Sequence, residues 1–354
     1  MIKSAKQNCL WIFASVLLVC LIDGALLFFI DPYHLFHETP WNRNRWSGNP
    51  ELINEGQIRS LLKKTNDYDT VIIGSSHMMN LKNKAIAKAV HGKAAIKLCA
   101  HGMRWSEENM LLKKALATHK IKQVVLCIDW LAHGVPRLSG NLFKNMWFSS
   151  ILWVWNKNFY KVQENINQIY NFKCNVNFAN SSQFQQLRKD YQPTSYPSIL
   201  PYNQDFADLD AYLIHAIKSN PQVQFFLLIH SENFVSNTQK RLFHRIFNNQ
   251  RYFIEQCASL PNAKIYGFQN HPFVKNLANY YDKNHFCDEI HKFVTYCIEH
   301  DWYRITLENF SAYEKDMFEN ANSFQIEESY PHRDTAEELI AAEWKKREKD
   351  KTVQ

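Results

Sequence analysis

The sequence predicts one large α/β domain with a mainly parallel sheet, preceded by a single transmembrane helix. The first observation behind this prediction is a long apolar run close to the N-terminus. The second is a series of short β-branched runs that alternate with helical patterns. The chain has 354 residues, enough for such a domain with added segments. Its 46% hydrophobic content is typical of a globular protein.

The apolar run Cys9–Ile30 has the length of a helix that crosses the hydrocarbon core of a bilayer. Lys3 and Lys6 precede this run, and no Lys or Arg follows it until Arg43. The positive-inside rule therefore predicts that residues 1–8 are cytoplasmic and that the C-terminal domain is extracytoplasmic. A cleaved signal peptide is the competing interpretation, although no convincing small-x-small site follows the run.

Five short apolar runs predict strands, and helical patterns lie before, between and after them. The strands are Asp69–Gly74, Ala95–Ala100, Gln123–Asp129, Val223–His230 and Ala263–Phe268. The helices are Glu51–Lys64, Ser106–His119, Phe206–Lys218, Thr238–Leu260, Cys287–His300 and Asp334–Lys349. This alternation indicates a parallel sheet with helices on both faces, which is a three-layer arrangement. Ligands bind such sheets at the carboxyl ends of the strands.

The domain boundaries follow from composition. Residues 31–65 form a juxtamembrane segment, 66–305 the α/β domain and 306–354 a charged tail. An insertion over 130–204 contains the aromatic cluster Met146–Trp155, which suits a lid, a membrane-facing surface or a separate small core. The tail is interpreted as a solvated face or an assembly contact. The net charge of +7 suits an anionic membrane or polymer, whereas the scattered basic residues argue against nucleic acid.

The eight cysteines include no Cys-x-x-Cys pair, so they carry no metal signature. Cys99 and Cys127 fall in predicted strands and are interpreted as core residues. In an oxidising compartment, disulfide bridges are open to four others, whose pairing the sequence does not determine. These are Cys174, Cys257, Cys287 and Cys297.

The segment Gly74-Ser75-Ser76-His77 stands at the carboxyl end of the first predicted strand. A serine on a tight turn into a helix can project its oxygen over the sheet edge. Backbone N–H groups at the start of the helix can then stabilise a developing oxyanion. A serine that only caps the helix gives the same pattern, so a base is needed to support catalysis.

A nucleophilic serine requires a base, and the base requires an acid that orients it. The spacing Asp-x-x-His occurs as Asp31/His34, Asp288/His291 and Asp282/His285. The first pair precedes the domain, and the second lies inside a predicted helix, where such pairs are most often surface contacts. The third pair lies in the loop after the fifth strand, which opens at the same sheet edge as Ser76. Asp282 and His285 are therefore the predicted acid and base.

Four motifs, taken in order, resemble the SGNH (GDSL-like) hydrolase superfamily, and in particular its membrane-anchored branch. They are Asp31-Pro32-Tyr33 after the anchor, YDTVIIGSSH, LCAHGMRWSE and YDKNHF. That branch includes the DltD proteins of teichoic acid D-alanylation and the related proteins of polysaccharide O-acetylation. The resemblance covers most of the chain except residues 130–204. It implies a three-layer, flavodoxin-like SGNH fold with a mainly parallel five-stranded sheet.

By position, the resemblance implies that Ser76 is the nucleophile, His285 the base and Asp282 its orienting partner. It also implies that the backbone N–H of Gly102 contributes to the oxyanion hole. Many soluble members carry Gly-x-Asn-Asp after the third strand, whereas this chain has Cys127-Ile128-Asp129-Trp130. The missing asparagine is an oxyanion donor, and the loss of one such donor typically costs about 10²–10³ in rate.

Three further residues near the predicted sheet edge have open roles. His77 either lines the pocket or caps the helix. Asn233, after the fourth strand, is a candidate replacement for the missing oxyanion donor. Asp129 is either a pocket residue or an N-cap, and capping is the favoured interpretation.

The resemblance implies a serine acyltransferase or esterase on the outer, periplasmic side of the cytoplasmic membrane. Its substrates would be small acyl groups, acetyl or D-alanyl, on a cell-surface polysaccharide or teichoic-acid-like polymer. It implies a polytopic MBOAT-type acyltransferase as partner, for which Asp23 in the anchor is a candidate contact, and no metal or organic cofactor. The alternatives are a non-catalytic accessory subunit of a membrane acyltransferase complex and a plain secreted esterase.

Overall fold

A computed structural model describes residues 2–30, 58, 62–63, 67–128, 181–190, 210–229, 243–282, 284–326 and 332–353. The chain divides into two compact units, residues 1–66 with 136–167 and residues 67–135 with 168–354. Several predicted features lie outside the described residues: the pair Asp31/His34, the cluster Met146–Trp155, Asp129, Cys174 and Asn233.

Helix α1, Ile2–Ile30, belongs to the first unit and begins earlier than the predicted anchor. Its described side chains are exposed and largely apolar, and its window Ala5–Ile22 is long and apolar enough to cross a membrane. No other helix in the described part of the chain meets both conditions. A signal sequence has the same length and composition, so this helix by itself is weak support for an anchor.

The second unit is an α/β domain built on a six-stranded sheet, with the strand order β2-β1-β3-β4-β5-β6. The strands are β1 Thr70–Gly74, β2 Ala95–Cys99, β3 Gln123–Ile128, β4 Gln224–Ile229, β5 Ala263–Gly267 and β6 Arg304–Ile305. The pairs among β1 to β5 are parallel, whereas β6 pairs antiparallel with β5. The prediction of five strands was therefore one strand short, because β6 has only two residues and shows no readable alternation.

The central strands are buried because helices cover a parallel sheet on both of its faces. Val71, Ile72 and Ile73 of β1 are fully buried, and so are Val124 and Val125 of β3. Each such aliphatic side chain contributes about 1.5–3 kcal/mol when it leaves water. The continuous apolar runs that predicted the strands are thus the centre of the core.

Five of the helices that the structure describes in this unit correspond to predicted ones with shifted ends, and three, which begin at Asn83, Ser182 and Phe310, were not predicted. The described helices are α2 Asn83–Ala89, α3 Trp105–Leu116, α4 Ser182–Asp190, α5 His215–Ser219, α6 Phe243–Cys257, α7 Asp288–Glu299, α8 Phe310–Asn322 and α9 Ala336–Val353. Helix α5 continues a π-helical turn over Asp210–Ile214. The segment after α3 leaves helical geometry at His119, whose φ of 56° is left-handed.

Most side chains of the C-terminal helix are exposed, but one side of it packs on the domain. Helix α9 packs against α7 and buries Ala336, Leu339 and Glu343. Because its sequence is dominated by charged residues, only a narrow stripe marks the buried side. That stripe is too narrow to be recognised from periodicity alone.

The cysteines that the structure describes in this unit are core residues. Cys99 and Cys127 are buried, as predicted. Cys257, Cys287 and Cys297, for which the sequence left disulfide bridges open, are also buried and are free thiols.

The strand order places a topological switch at β1, because the chain proceeds to β2 on one side of it and to β3 on the other. In open α/β sheets, a crevice forms at the carboxyl ends of the strands where the order reverses. The residues that follow Gly74 stand at this point of the sheet.

Candidate active site

A tight turn places Ser76 directly after β1. Ser76 begins a one-turn 3-10 helix, Ser76–Met78, and the Ser75 hydroxyl caps it by accepting the N–H of His77 at 3.3 Å. Gly74 precedes this turn with a φ of 157°, and a Cβ there would lie 2.6 Å from Met78 Cγ. Glycine is therefore required for the close approach of the turn to the strand. Capping is done by Ser75, which leaves the Ser76 hydroxyl available for another contact.

The Ser76 hydroxyl lies at hydrogen-bond distance from a histidine imidazole. Ser76 Oγ is 2.7 Å from His285 Nε2, although the two residues are 209 positions apart in the sequence. The other ring nitrogen, Nδ1, lies 2.7 Å and 2.9 Å from the two carboxylate oxygens of Asp282. The tautomer that satisfies both contacts has Nδ1–H donating to Asp282 and Nε2 accepting from the serine O–H. A histidine in this state can take the serine proton.

The Asp282 carboxylate is held ionised by its surroundings. Burial by itself would raise its pKa, but the interaction with the His285 imidazole and the backbone hydrogen bonds from Asn284 and His285 together outweigh that effect and lower the pKa. The backbone N–H groups of Asn284 and His285 also donate to Asp282 Oδ1, at 2.7 Å and 2.9 Å. An ionised carboxylate fixes the orientation of the imidazole and stabilises the imidazolium that forms on proton transfer.

Two aromatic rings flank the His285 imidazole. The Tyr281 ring is stacked on it, with centroids 5.3 Å apart and planes within 6°. The His77 ring lies 5.1 Å away on centroids, tilted by 51°. Asn80 Nδ2 donates to the Tyr281 hydroxyl at 3.3 Å, so the segment that follows Ser76 also contacts a ring that stacks on His285.

Gly102 lies on the turn after β2, which begins at the same sheet edge as Ser76. Gly74 pairs with Cys99, and the N–H of Ala100 donates to the Gly74 carbonyl at 3.3 Å. Gly102 adopts a left-handed φ of 54°, and a Cβ there would meet open space. Glycine is therefore favoured at position 102 because of the backbone conformation and not because of crowding.

His101, beside Gly102, was not identified from the sequence. Burial lowers its pKa, and the nearby His285 lowers it further. That electrostatic coupling is consistent with the turn after β2 facing the His285 imidazole. A lone histidine next to a glycine has no spacing partner, so no sequence signal distinguished it.

His77 lies beside both a pocket and the cap of its own helix. Its ring lines a pocket at the carboxyl ends of β3 and β4, together with Met78, Cys127, Leu228 and His291. Its Nδ1 also lies 3.2 Å from the capping hydroxyl of Ser75. The cap itself is Ser75, so His77 is a wall residue of the pocket.

The Asp288/His291 pair is not the surface contact that its spacing suggested. His291 is buried, and burial together with the positive charge of Lys97 lowers its pKa to about 3. Asp288 pairs with Lys82 at 3.4 Å. The spacing i,i+3 misled here because the helix has a wide apolar face that includes His291.

No group of three or more His, Cys, Asp or Glu side chains is arranged to hold a metal ion among the residues that the structure describes. Comparison of the chain with protein-family models, with curated proteins and with solved structures found no match. A functional assignment therefore depends on the local geometry. In that geometry, the Ser76 hydroxyl, the His285 imidazole and the Asp282 carboxylate form one hydrogen-bonded series.

Proposed function

We propose that this chain is a membrane-anchored serine acyltransferase or esterase of the SGNH type, with Ser76 as nucleophile, His285 as base and Asp282 as orienting acid. The observation that carries the proposal is the series of short contacts from Ser76 Oγ through His285 to Asp282. A serine–histidine pair by itself is common, whereas the addition of an ionised carboxylate on the far nitrogen is the arrangement used for acyl transfer.

The proposed fold is the three-layer, flavodoxin-like arrangement of the SGNH superfamily. Support comes from the strand order, since β2-β1-β3-β4-β5 is the doubly wound order in which ligands bind at the β1/β3 switch. Ser76 immediately follows β1 at that switch. The antiparallel strand β6 extends the sheet at its far edge, away from this point.

The proposed reaction proceeds through an acyl-enzyme. Ser76 Oγ bonds to the acyl carbon of an ester or thioester while its proton passes to His285 Nε2. The bond from that carbon to the leaving oxygen or sulfur then breaks, and the leaving group takes the proton from His285. A polymer hydroxyl or water next gives its proton to His285 and bonds to the acyl carbon, and Ser76 Oγ leaves with that proton.

Oxyanion stabilisation is assigned in this proposal to the backbone N–H of Gly102, with Asn233 as the second donor. The left-handed turn at Gly102 supports the first assignment because it begins at the nucleophile's sheet edge. Asn233 lies outside the described residues, and its role follows only from its position after β4. The substrates are small acyl groups, acetyl or D-alanyl, on a cell-surface glycopolymer.

The proposed location is the outer side of the cytoplasmic membrane, with residues 1–8 inside. The 18-residue apolar window in α1, with Lys3 before it and Lys6 near its start, supports this topology. Protease added to spheroplasts should then digest the C-terminal domain, and protection of that domain until lysis would contradict the orientation. An MBOAT-type membrane acyltransferase is the proposed partner, and it should co-purify with the full-length chain in mild detergent.

The direct test is labelling of the full-length protein by a serine-directed fluorophosphonate. Wild type should be labelled at Ser76, and Ser76→Ala should lose the label and the hydrolysis of p-nitrophenyl acetate while its melting temperature stays the same. Ser219→Ala is a matched control, because the exposed Ser219 hydroxyl also contacts a histidine, His215 Nε2, at 3.2 Å. Polymer acylation that persists in cells carrying Ser76→Ala would instead favour the accessory-subunit function.

A further inference from the structure

The short segment Met79–Leu81 follows the nucleophile's helix and contacts the supports of both the nucleophile and the base. The N–H of Met79 donates to the Ser76 carbonyl at 3.1 Å and closes the turn that carries the hydroxyl. The side chain of Asn80 donates to the Tyr281 hydroxyl, and the Tyr281 ring is stacked on the His285 imidazole. Any shift of this segment therefore moves the serine oxygen and the imidazole relative to each other.

Lys97 holds this segment from the neighbouring strand. Its ammonium donates to the Met79 carbonyl at 2.7 Å and also to the Leu81 carbonyl, so it bonds the backbone on both sides of Asn80. Hydrogen bonds from an ionised donor are roughly twice as strong as those between neutral groups. Lys97 lies in the middle of β2, opposite Ile72 of β1, where its backbone is fixed by the sheet.

A lysine at this position lowers the stability of the fold. Burial lowers the pKa of Lys97 to about 8, which means that its ammonium is poorly solvated. An apolar side chain would satisfy the strand at lower cost, but the Met79 and Leu81 carbonyls would then lose an ionised donor. A costly group that fixes the turn next to a nucleophile indicates a functional and not only a structural role.

We propose that Lys97 is a positioning residue: its ammonium fixes the Met79–Leu81 segment so that Ser76 Oγ and His285 Nε2 stay at hydrogen-bond distance. This inference rests on the proposed serine chemistry of the same site. Catalysis is sensitive to such alignment, since a displacement of about 1 Å can cost on the order of 10²-fold in rate. Lys97 itself touches no reacting atom in this proposal and acts through Asn80, Tyr281 and the turn.

The principal test compares Lys97→Met and Lys97→Arg in the full-length protein in detergent. The measured quantities are the second-order rate of fluorophosphonate labelling, and kcat and KM for p-nitrophenyl acetate. Lys97→Met should lower the labelling rate and kcat by about 10- to 100-fold with little change in KM, because alignment and not binding is lost. Lys97→Arg keeps the charge and the donors, and it should recover at least part of the rate.

Lys264→Met is the matched control for removal of a strand lysine. Lys264 lies in β5, and its ammonium lies 3.5 Å from the Asp301 carboxylate instead of contacting the nucleophile's turn. Its labelling rate and kcat should stay within about twofold of wild type, in line with a small surface ion pair. An equal loss of rate in Lys264→Met and Lys97→Met would overturn the proposal, because general destabilisation would then explain both.

A second pair of variants decides the question if Lys97→Met does not fold. Asn80→Ala and Tyr281→Phe each remove the same hydrogen bond, while Tyr281→Phe keeps the ring that stacks on His285. Each should lower kcat by about 3- to 10-fold, and the double variant should be no slower than the slower single variant. Unchanged kcat in both single variants, or in a folded Lys97→Met, would refute the positioning role while Ser76 labelling persists. Absence of Ser76 labelling in wild type would instead overturn the proposed function and this inference together.

Discussion

The sheet edge that carries Ser76 and the seam between α7 and α9 both bury polar groups, but they satisfy them differently. At the seam, the Glu343 carboxylate accepts the Tyr303 hydroxyl at 2.5 Å and the Arg347 guanidinium at 2.6 Å. Arg347 also lies over the Trp302 ring, 4.6 Å from its centroid. The carboxylate at the seam therefore has an opposite charge and a hydroxyl as partners, which offset its desolvation.

At the sheet edge, the partners of the buried groups offset less of the cost of desolvation. The Lys97 ammonium is held by backbone carbonyls, and the His291 imidazole is buried so deeply that its pKa falls to about 3. Lys97 lowers that pKa further, which means that the two groups disfavour each other's protonated forms. The difference teaches that the seam compensates its buried carboxylate, whereas the sheet edge near Ser76 and His285 retains interactions that oppose stability.

The largest expected effect is on rate, at the sheet edge. Asp282→Asn removes the charge that holds His285 Nδ1–H, so hydrolysis of p-nitrophenyl acetate should fall by roughly 10²–10⁴-fold with little change in melting temperature. Asp288→Asn is the control, because Asp288 forms a partly exposed pair with Lys82. The kcat of Asp288→Asn should match that of wild type. A comparable loss of kcat in this variant would show that the effect of Asp282→Asn is not specific to Asp282.

The next effect concerns stability, at the seam. Trp302→Ala removes a buried indole that packs edge-on against Trp344, with centroids 4.9 Å apart. The free energy of unfolding should fall by about 3–5 kcal/mol, as for other large-to-small core changes. Below the new melting temperature, the rate of fluorophosphonate labelling should equal that of wild type. A parallel loss of labelling in folded protein would show that seam and edge are coupled.

How much of this arrangement the sequence predicts depends on the range of each contact. The strands β1 to β5 followed from local β-branched runs, and Asp282/His285 followed from a spacing combined with a loop position. Asn80 and Tyr281 meet across 201 residues, and no local pattern indicates such a pair. Lys97 carries no distinguishing signal within the strand sequence AIKLCA, since the carbonyls it binds belong to a different segment.

A third effect is the pH dependence of stability from Lys97. Below about pH 8, Lys97 is protonated in both the folded and unfolded states, and the full cost of its burial is present. Between about 8 and the ordinary value of 10.5, the folded state releases the proton first, so stability rises with pH. Relative to Lys97→Met, wild type should gain roughly 2–4 kcal/mol over this range in denaturant titrations. If the difference in the free energy of unfolding between the two proteins does not change with pH, Lys97 is well solvated.

The smallest expected effect is at Gly102, where conformation and catalysis can be separated. A Cβ at this position meets open space, so Gly102→Ala is strained only by its φ of 54°. That strain should cost about 1 kcal/mol of stability. His119→Gly is the control, because His119, after α3, has a φ of 56° that is close to that of Gly102. This change relieves the strain at His119, so it should stabilise the protein by a similar amount. It should leave kcat unaltered.

If the Gly102 N–H stabilises the oxyanion, relaxation of the strained alanine turns that donor away, and kcat falls by up to about 10-fold. Gly102→Asn should recover most of both losses, because asparagine adopts left-handed geometry more readily than alanine. Unfolding curves give the first quantity, and p-nitrophenyl acetate kinetics give the second. A stability loss in Gly102→Ala with unchanged kcat would make Gly102 an ordinary turn residue, and the oxyanion would then depend on the N–H groups at the start of the Ser76 helix.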